Sequence, residues 1–445
     1  MTAPSPALPR RLVLAYALPW FAVQLCFLPM NNFVAGHYAE GLGVSLAAIS
    51  GIVLLSRLLI DPVTDPLIGV LSDRTPLRYR RKLWVGLGVP VLLAGAWAVL
   101  VPPEDAGARY LLVSLNAVFL GFTMIQVPYA AWGAELTGDY DQRSRLFAWR
   151  EGVGVLGTLC AIATPFAASR LGYEGLAPAM LAVAIGIVCL LPVLMGVALG
   201  AVPEPPRQAA APLSLRESLR AVAANREFLW LMGASVFAFI GSGPGGATGY
   251  LMMVHAFEAP GLYGDLILAE FVAMLIGVPV WAWAAGRIGK HRALALGFLV
   301  MTVFTAPVPL LIGQDPSSVV VLSGLRGLGF GAAFVLPLAM LADVIDLDAV
   351  RTGRMRSGLY MALGGVVIKI AFGFGSGIAL FWPTLFGFDQ TAENTPQAVF
   401  HVAVAYAWIS CAFWIVSVPL LWRYPLTKDR QRAARDALSA VSAAA

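Results

Sequence analysis

Long apolar runs alternate with short polar punctuation from one end of the chain to the other. Twelve runs reach the roughly 17–25 residues that a helix needs to cross a bilayer. They cover residues 12–35, 45–72, 83–102, 110–133, 148–170, 176–201, 226–255, 263–286, 293–313, 318–341, 357–383 and 398–423. Backbone groups inside hydrocarbon must be satisfied within their own segment, so such runs predict helices. The expected fold is all-α and integral to the membrane. The first run is too long for a signal-peptide core and lacks a small-residue cleavage site, so it counts as a span.

The polar punctuation is uneven. "AAPLSLRESLRAVAANREF" is the longest polar stretch between spans and divides them six and six. This predicts an N-terminal six-helix bundle (1–201), a cytoplasmic linker (202–225), a C-terminal six-helix bundle (226–423) and a cytoplasmic tail (424–445). The halves echo each other. "DPLIGVLSDRTPLRYRRK" after the second span is similar to "WAWAAGRIGKHRAL" after the eighth. "GAELTGDYDQRSRLFAWREGVGVLG" is similar to "MLADVIDLDAVRTGRMRSGLYMALGG". Parallel six-span repeats build the major facilitator architecture, whose solute site lies near the bilayer midplane.

Composition sharpens this picture. The chain is 59% hydrophobic and 12% charged, with mean hydropathy +0.78. Soluble domains carry about 25% charged residues. The net charge of +5 invites a nucleic-acid reading, but the placement of the charges rejects it. With twelve spans, 25 of the 30 Lys and Arg fall on the side of the termini, against Arg109 and Arg170 opposite. That asymmetry is the positive-inside rule and puts both termini in the cytoplasm. The four cysteines, Cys26, Cys160, Cys189 and Cys411, all lie in apolar runs without paired spacing, and the histidines form no ligand cluster. No GxxxxGK[ST] phosphate loop is present, so uphill transport would draw on an ion gradient.

The second span carries the candidate chemistry. In "SRLLIDPVTDPLIGVLSDRT", Arg57, Asp61, Asp65 and Gly69 recur every fourth residue and share one helix face. Counting from Asp73 at 1.5 Å per residue, Asp65 lies ~12 Å and Asp61 ~18 Å into the membrane. Each charge costs roughly 2.5–3.5 kcal/mol near the centre of a lone helix, so this face must meet protein or water. Pro62 and Pro66 withhold N–H groups from the preceding turn, leaving carbonyl oxygens beside the two carboxylates. An all-oxygen environment suits a hard cation or a proton. The plainer alternative is an acid that merely neutralises Arg57, but one arginine cannot balance two acids. Lys369, in "GGVVIKIAFGFG", is the matching mid-span charge of the second half and could pair with the acids. Arg326 lies near the start of span ten and is expected to snorkel.

At these residues the chain is similar to the glycoside–pentoside–hexuronide:cation symporters. The marks are "DPVTDPLIGVLSDRT", "VPYAAWGAELTGDYDQRSR" and "MLADVIDLDAVRTGRMRSGLY" followed by Lys369. The resemblance implies a cation site at Asp61 and Asp65, with Thr64 and Thr123 as oxygen donors. It implies solute contacts at Arg150 and Lys369. The family's sugar-gripping aspartates fall at Gln24 and Gln126, whose amides donate and accept but lack charge-assisted strength. Arg57 stands four residues before Asp61 where the family has three.

Trp20, Phe21, Tyr129, Trp132 and Trp149 offer ring faces for a sugar, and Trp20 and Tyr129 join the solute set. "GSGPGGATGY" in span seven reads either as a helix break serving a gate or as close packing through small residues. Arg57, Asp139, Arg143, Asp346 and Arg351 are the candidate gating and coupling charges. The implied activity is symport of a small polar solute, a glycoside, with Na+ or H+ by alternating access. Sodium-dependent lysophospholipid transport is the second reading, because both sugar aspartates are replaced. A receptor or a membrane enzyme is a remote third, since the chain carries no nucleophile motif or soluble catalytic domain. The expected partners are the solute, the coupling cation and the bilayer, with no nucleic acid, no cofactor and no other metal. The Ala-, Gly- and Arg-rich composition suggests a bacterial inner membrane.

Overall fold

The computed structural model describes residues 8–137, 140–204, 222–352, 357–390, 392–426 and 430. Among them, twelve helices are long and apolar enough to cross a membrane. They are α1 (Arg10–Asn32), α2 (Leu46–Arg74), α3 (Arg80–Leu100), α4 (Ala108–Glu135), α5 (Arg145–Arg170) and α6 (Ala177–Ala201). The second half supplies α7 (Arg226–Ala256), α8 (Pro260–Ile288), α9 (Lys290–Leu311), α10 (Ser317–Thr352), α11 (Leu359–Phe386) and α12 (Pro396–Trp422). No strand occurs among the described residues.

The chain divides into two compact units, one of residues 1–209 with 389–393 and the other of 210–388 with 394–445. In the first, α3 lies along α4, and α1 packs on α5 and α6. In the second, α8 and α9 flank α10, while α7 packs against α11 and α12. Small residues make these approaches possible, as expected where lipid gives helices no hydrophobic reason to associate. A Cβ added at Gly327 on α10 would strike the Glu270 carbonyl on α8, and one at Gly375 on α11 would strike the Ile240 carbonyl on α7.

Three details depart from a uniform set of rods. A π-helical turn at Ser56–Ile60 interrupts α2 just before Asp61, with Pro62 at the start of the α-helical segment Asp61–Arg74. Such turns are rare and concentrate at functional sites. The helix of span seven runs unbroken from Arg226 to Leu251 with Pro244 inside it. Gly241 lies against Trp414 and Gly243 against Phe372, so "GSGPGGATGY" is a packing face and not a helix break. The tenth helix runs to Thr352, eleven residues beyond the apolar run that predicts it. Hydropathy sees only the part in hydrocarbon; the extension is held by ion pairs to α7 and α9.

Candidate functional site

The π turn and the two prolines of α2 present its acidic face to α4. Asp61 is 3% exposed and takes an ion pair from the Arg57 Nη1 at 2.9 Å. The Arg57 Nη2 donates to Asn31 Oδ1 at 3.0 Å, and the guanidinium lies over the Phe119 ring at 3.9 Å. Arg57 is therefore fully engaged through one oxygen of Asp61. The other oxygen, Oδ1, is buried and has no hydrogen-bond partner. A buried carboxylate oxygen left unsatisfied costs free energy, more than the 1–3 kcal/mol of a neutral group.

Asp65 stands one turn further on and half-buried. The Thr123 hydroxyl of α4, itself 1% exposed, donates to Asp65 Oδ1 at 2.6 Å. Thr64 is less directly placed: its hydroxyl donates to the Asp61 backbone carbonyl at 3.3 Å. The structure thus brings Asp61, Asp65, Thr64 and Thr123 together on α2 and α4, with Arg57 paired to Asp61.

The candidate solute contacts of the first unit gather on α1, α4 and α5. The Arg150 guanidinium lies over Trp20 at 4.4 Å and Phe147 at 4.6 Å, and its Nε donates to Glu151 at 3.0 Å. Trp20 Nε1 donates to the other oxygen of Glu151 at 3.3 Å. Glu151 was not singled out in the sequence; its place directly after Arg150 was the available signal. Gln24 and Gln126 are half-buried, and neither makes a hydrogen bond among the described residues. Their amides are free to meet a ligand.

Tyr129 is fully buried, its ring stacks on Tyr16 at 4.6 Å and on Trp20 at 6.1 Å, and its hydroxyl donates to the Tyr16 carbonyl. Two stacked rings and a bonded hydroxyl hold it within the bundle. Trp20 is also buried and supports Arg150 from beneath; Trp149 is exposed.

Lys369 lies on α11 in the second unit, half-buried. Arg326 does not snorkel: it is 4% exposed and paired with Glu270 of α8, a residue the sequence reading passed over. A charge drawn into a bundle by a partner on another helix looks, in sequence, like one reaching for water.

Among the gating charges, Asp139 and the Arg143 side chain fall outside the described residues. Arg351 pairs with Glu227 at the start of α7 at 2.8 Å. Asp346 is half-buried on α10. Other residues form further ion pairs near the helix ends. Arg81 binds Glu135 at 2.7 Å and Asp73 at 2.6 Å, and Lys290 binds Asp343 at 2.6 Å. Each ties its own unit at the α2–α3 turn or its α8–α9 counterpart, where the two halves echo each other in sequence.

A family model described as MFS/sugar transport protein matches residues 15–428. The chain is 22% identical over 442 residues to the isoprimeverose transporter of Lactiplantibacillus pentosus, covering 95% of this chain and 90% of that one. It is 23% identical over 431 residues to a glucuronide carrier protein homolog of Escherichia coli K12, covering 94% and 93%. Among solved structures it is similar to a bacterial homolog of the human lysosomal transporter Spinster, captured inward-facing and unoccupied. That match has a TM-score of 0.65 and 14% identity over 97% of both chains, and bears on the fold alone.

Proposed function

The chain belongs to the MFS/sugar transport protein family, and on that premise we propose that it is a sodium-coupled symporter of a small glycoside, working by alternating access. The observation that carries the cation site is the orphaned Asp61 Oδ1, sealed in protein one helical turn from Asp65. A bound Na+ would satisfy it together with Asp65 and the Thr123 hydroxyl, an all-oxygen set of the kind hard cations take. Arg57 holds the site's charge balance while the ion is away. Cation entry neutralises Asp61 and weakens that pair, which links ion occupancy to the packing of α2 on α1 and α4.

The solute reading rests on Gln24 and Gln126, two amides without protein partners beside Arg150 and Trp20. Paired donors and acceptors of this kind suit sugar hydroxyls. The similarity to isoprimeverose and glucuronide carriers points to the same solute class.

The test is the apparent melting temperature of the purified protein, in Na+ and again in choline, against methyl glycosides and lysophospholipids. A glycoside that raises it only in Na+ supports both assignments. A shift with lysophospholipid and none with any glycoside overturns the solute class. Unchanged uphill uptake by Asp65→Asn overturns the cation site.

A further inference from the structure

The second unit holds a charged pair deep among its helices that the cation site does not use. Arg326 sits nine residues from the start of α10, and Glu270 ten residues from the start of α8. At 1.5 Å per residue both lie ~14–15 Å along their helices, near the middle of a ~30 Å hydrocarbon core. Their side chains are 5% and 12% exposed. Arg326 Nη2 donates to Glu270 Oε2, and the guanidinium lies 4.8 Å above the Tyr406 ring of α12. Ser323 and Tyr406 complete the polar wall, their hydroxyls 3.4 Å apart.

Two features do not fit a simple tie between helices. Arg326 Nε is buried and has no hydrogen-bond partner. Glu270 Oε1 likewise makes no hydrogen bond among the described residues, yet it is not sealed off with the buried unsatisfied atoms. A pair kept only for stability gains little over apolar side chains of the same volume, and intramembrane charges mark ligand paths by default. The pair is neutral overall, and the hydrogen-bonding capacity of its two partners is not used up within the protein. Access is from α7, where Gly245 and Gly246 are half-buried and a Cβ added at Gly245 would rest 3.5 Å from Arg326 Nη1. With no side chain at Gly245, Nη1 is the part of the buried guanidinium that this turn leaves within reach.

We propose that Glu270 and Arg326 form the solute-binding centre of the C-terminal bundle and take two neighbouring hydroxyls of an uncharged sugar. One hydroxyl donates to Glu270 Oε1, and the other accepts from an Arg326 Nη1–H, the guanidinium group nearest Gly245. Arg326 is committed to Glu270 Oε2, so the carboxylate oxygen Oε1 faces the solute and selects a neutral glycoside over one bearing a carboxylate. This centre deepens the symporter reading and rests on it.

The test titrates methyl β-D-glucopyranoside, methyl β-D-xylopyranoside and methyl β-D-glucuronide into the full-length protein, following apparent melting temperature with Na+ present. The Na+-against-choline shift is recorded in parallel and reports the cation site separately. The expected result is a neutral glycoside binding at least tenfold more tightly than the glucuronide. Glu270→Gln and Gly245→Val should each weaken it at least tenfold while the Na+ shift persists. Gly245→Val leaves both charges in place and only covers the approach. Equal or tighter glucuronide binding overturns the proposal, as does wild-type glycoside affinity in Glu270→Gln. If Glu270→Gln fails to fold, the exchange Glu270→Arg with Arg326→Glu decides. Recovered folding with glycoside binding means a structural tie and refutes the proposal; recovered folding without it supports it. Loss of the Na+ shift in the wild type would instead count against the cation site.

Discussion

Replacing Arg57 by methionine separates the structural work of that side chain from the ion that would compete with it. Methionine keeps a long unbranched stem but removes three interactions: the 2.9 Å pair to Asp61, the 3.0 Å bond to Asn31 and the stacking 3.9 Å over Phe119. Leaving one partner of a buried ion pair alone costs about 3–5 kcal/mol, and losing the cation–π contact adds roughly 0.5–2 kcal/mol. In choline, Arg57→Met should therefore lose about 5 kcal/mol. At roughly 2–4 °C per kcal/mol for a unit of this size, the apparent melting temperature falls by ~10–20 °C. In Na+ the ion supplies the missing positive charge at Asp61. A ligand at a hundred times its Kd returns about 2.7 kcal/mol, and with Arg57 gone it binds without a competitor. The variant's Na+-against-choline difference should thus exceed that of the wild type by several degrees. The assay is a thermal scan of detergent-purified protein across a Na+ titration at fixed ionic strength. An equal loss in Na+ and choline would refute the reasoning, because Asp61 would then not be a cation ligand.

Other outcomes follow from the same geometry. Thr123→Ala removes the 2.6 Å hydrogen bond to Asp65 and one ligand oxygen, so half-saturation by Na+ should rise at least tenfold with a stability loss of only about 1–2 kcal/mol. His37, beyond the end of α1, is held by burial with its pKa pushed down to about 4. It is neutral when folded but takes up a proton near pH 6.5 once unfolded, so its contribution is complete above that pH. Stability should fall by up to ~3 kcal/mol as pH drops from about 6.5 to 4, at 1.36 kcal/mol per unit. His37→Gln should flatten that part of a melting-temperature profile. Gly375→Leu drives a side chain into the Ile240 carbonyl where α11 crosses α7, and overpacking of this kind costs about 1–3 kcal/mol. The loss should be visible in the melting temperature with the Na+ shift intact.

Much of this protein is legible in its sequence, because a bilayer imposes local rules. Each span must satisfy its own backbone, so length and hydropathy alone place twelve helices. The cost of charge in hydrocarbon singles out Arg57, Asp61, Asp65 and Lys369 without knowledge of any neighbour. The same reasoning marks Thr123 only through family resemblance, since nothing local distinguishes a threonine that faces Asp65 from one that faces lipid.

What the tertiary structure decided is partnership. Two acids and one arginine on the same face allow several pairings. Only the approach of α1 and α4 assigns Arg57 to Asp61 and Asn31, gives Asp65 to Thr123, and leaves Asp61 Oδ1 alone. Tyr129 reads as a ring for a sugar from sequence, and only the fold stacks Tyr16 and Trp20 against it. Arg326 reads as a snorkelling side chain until Glu270, fifty-six residues away, is placed beside it. Hydropathy is a property of a segment and can be summed along the chain. An ion pair or a stacked ring is a property of two segments, and it exists only where close helix packing brings them within a few ångströms.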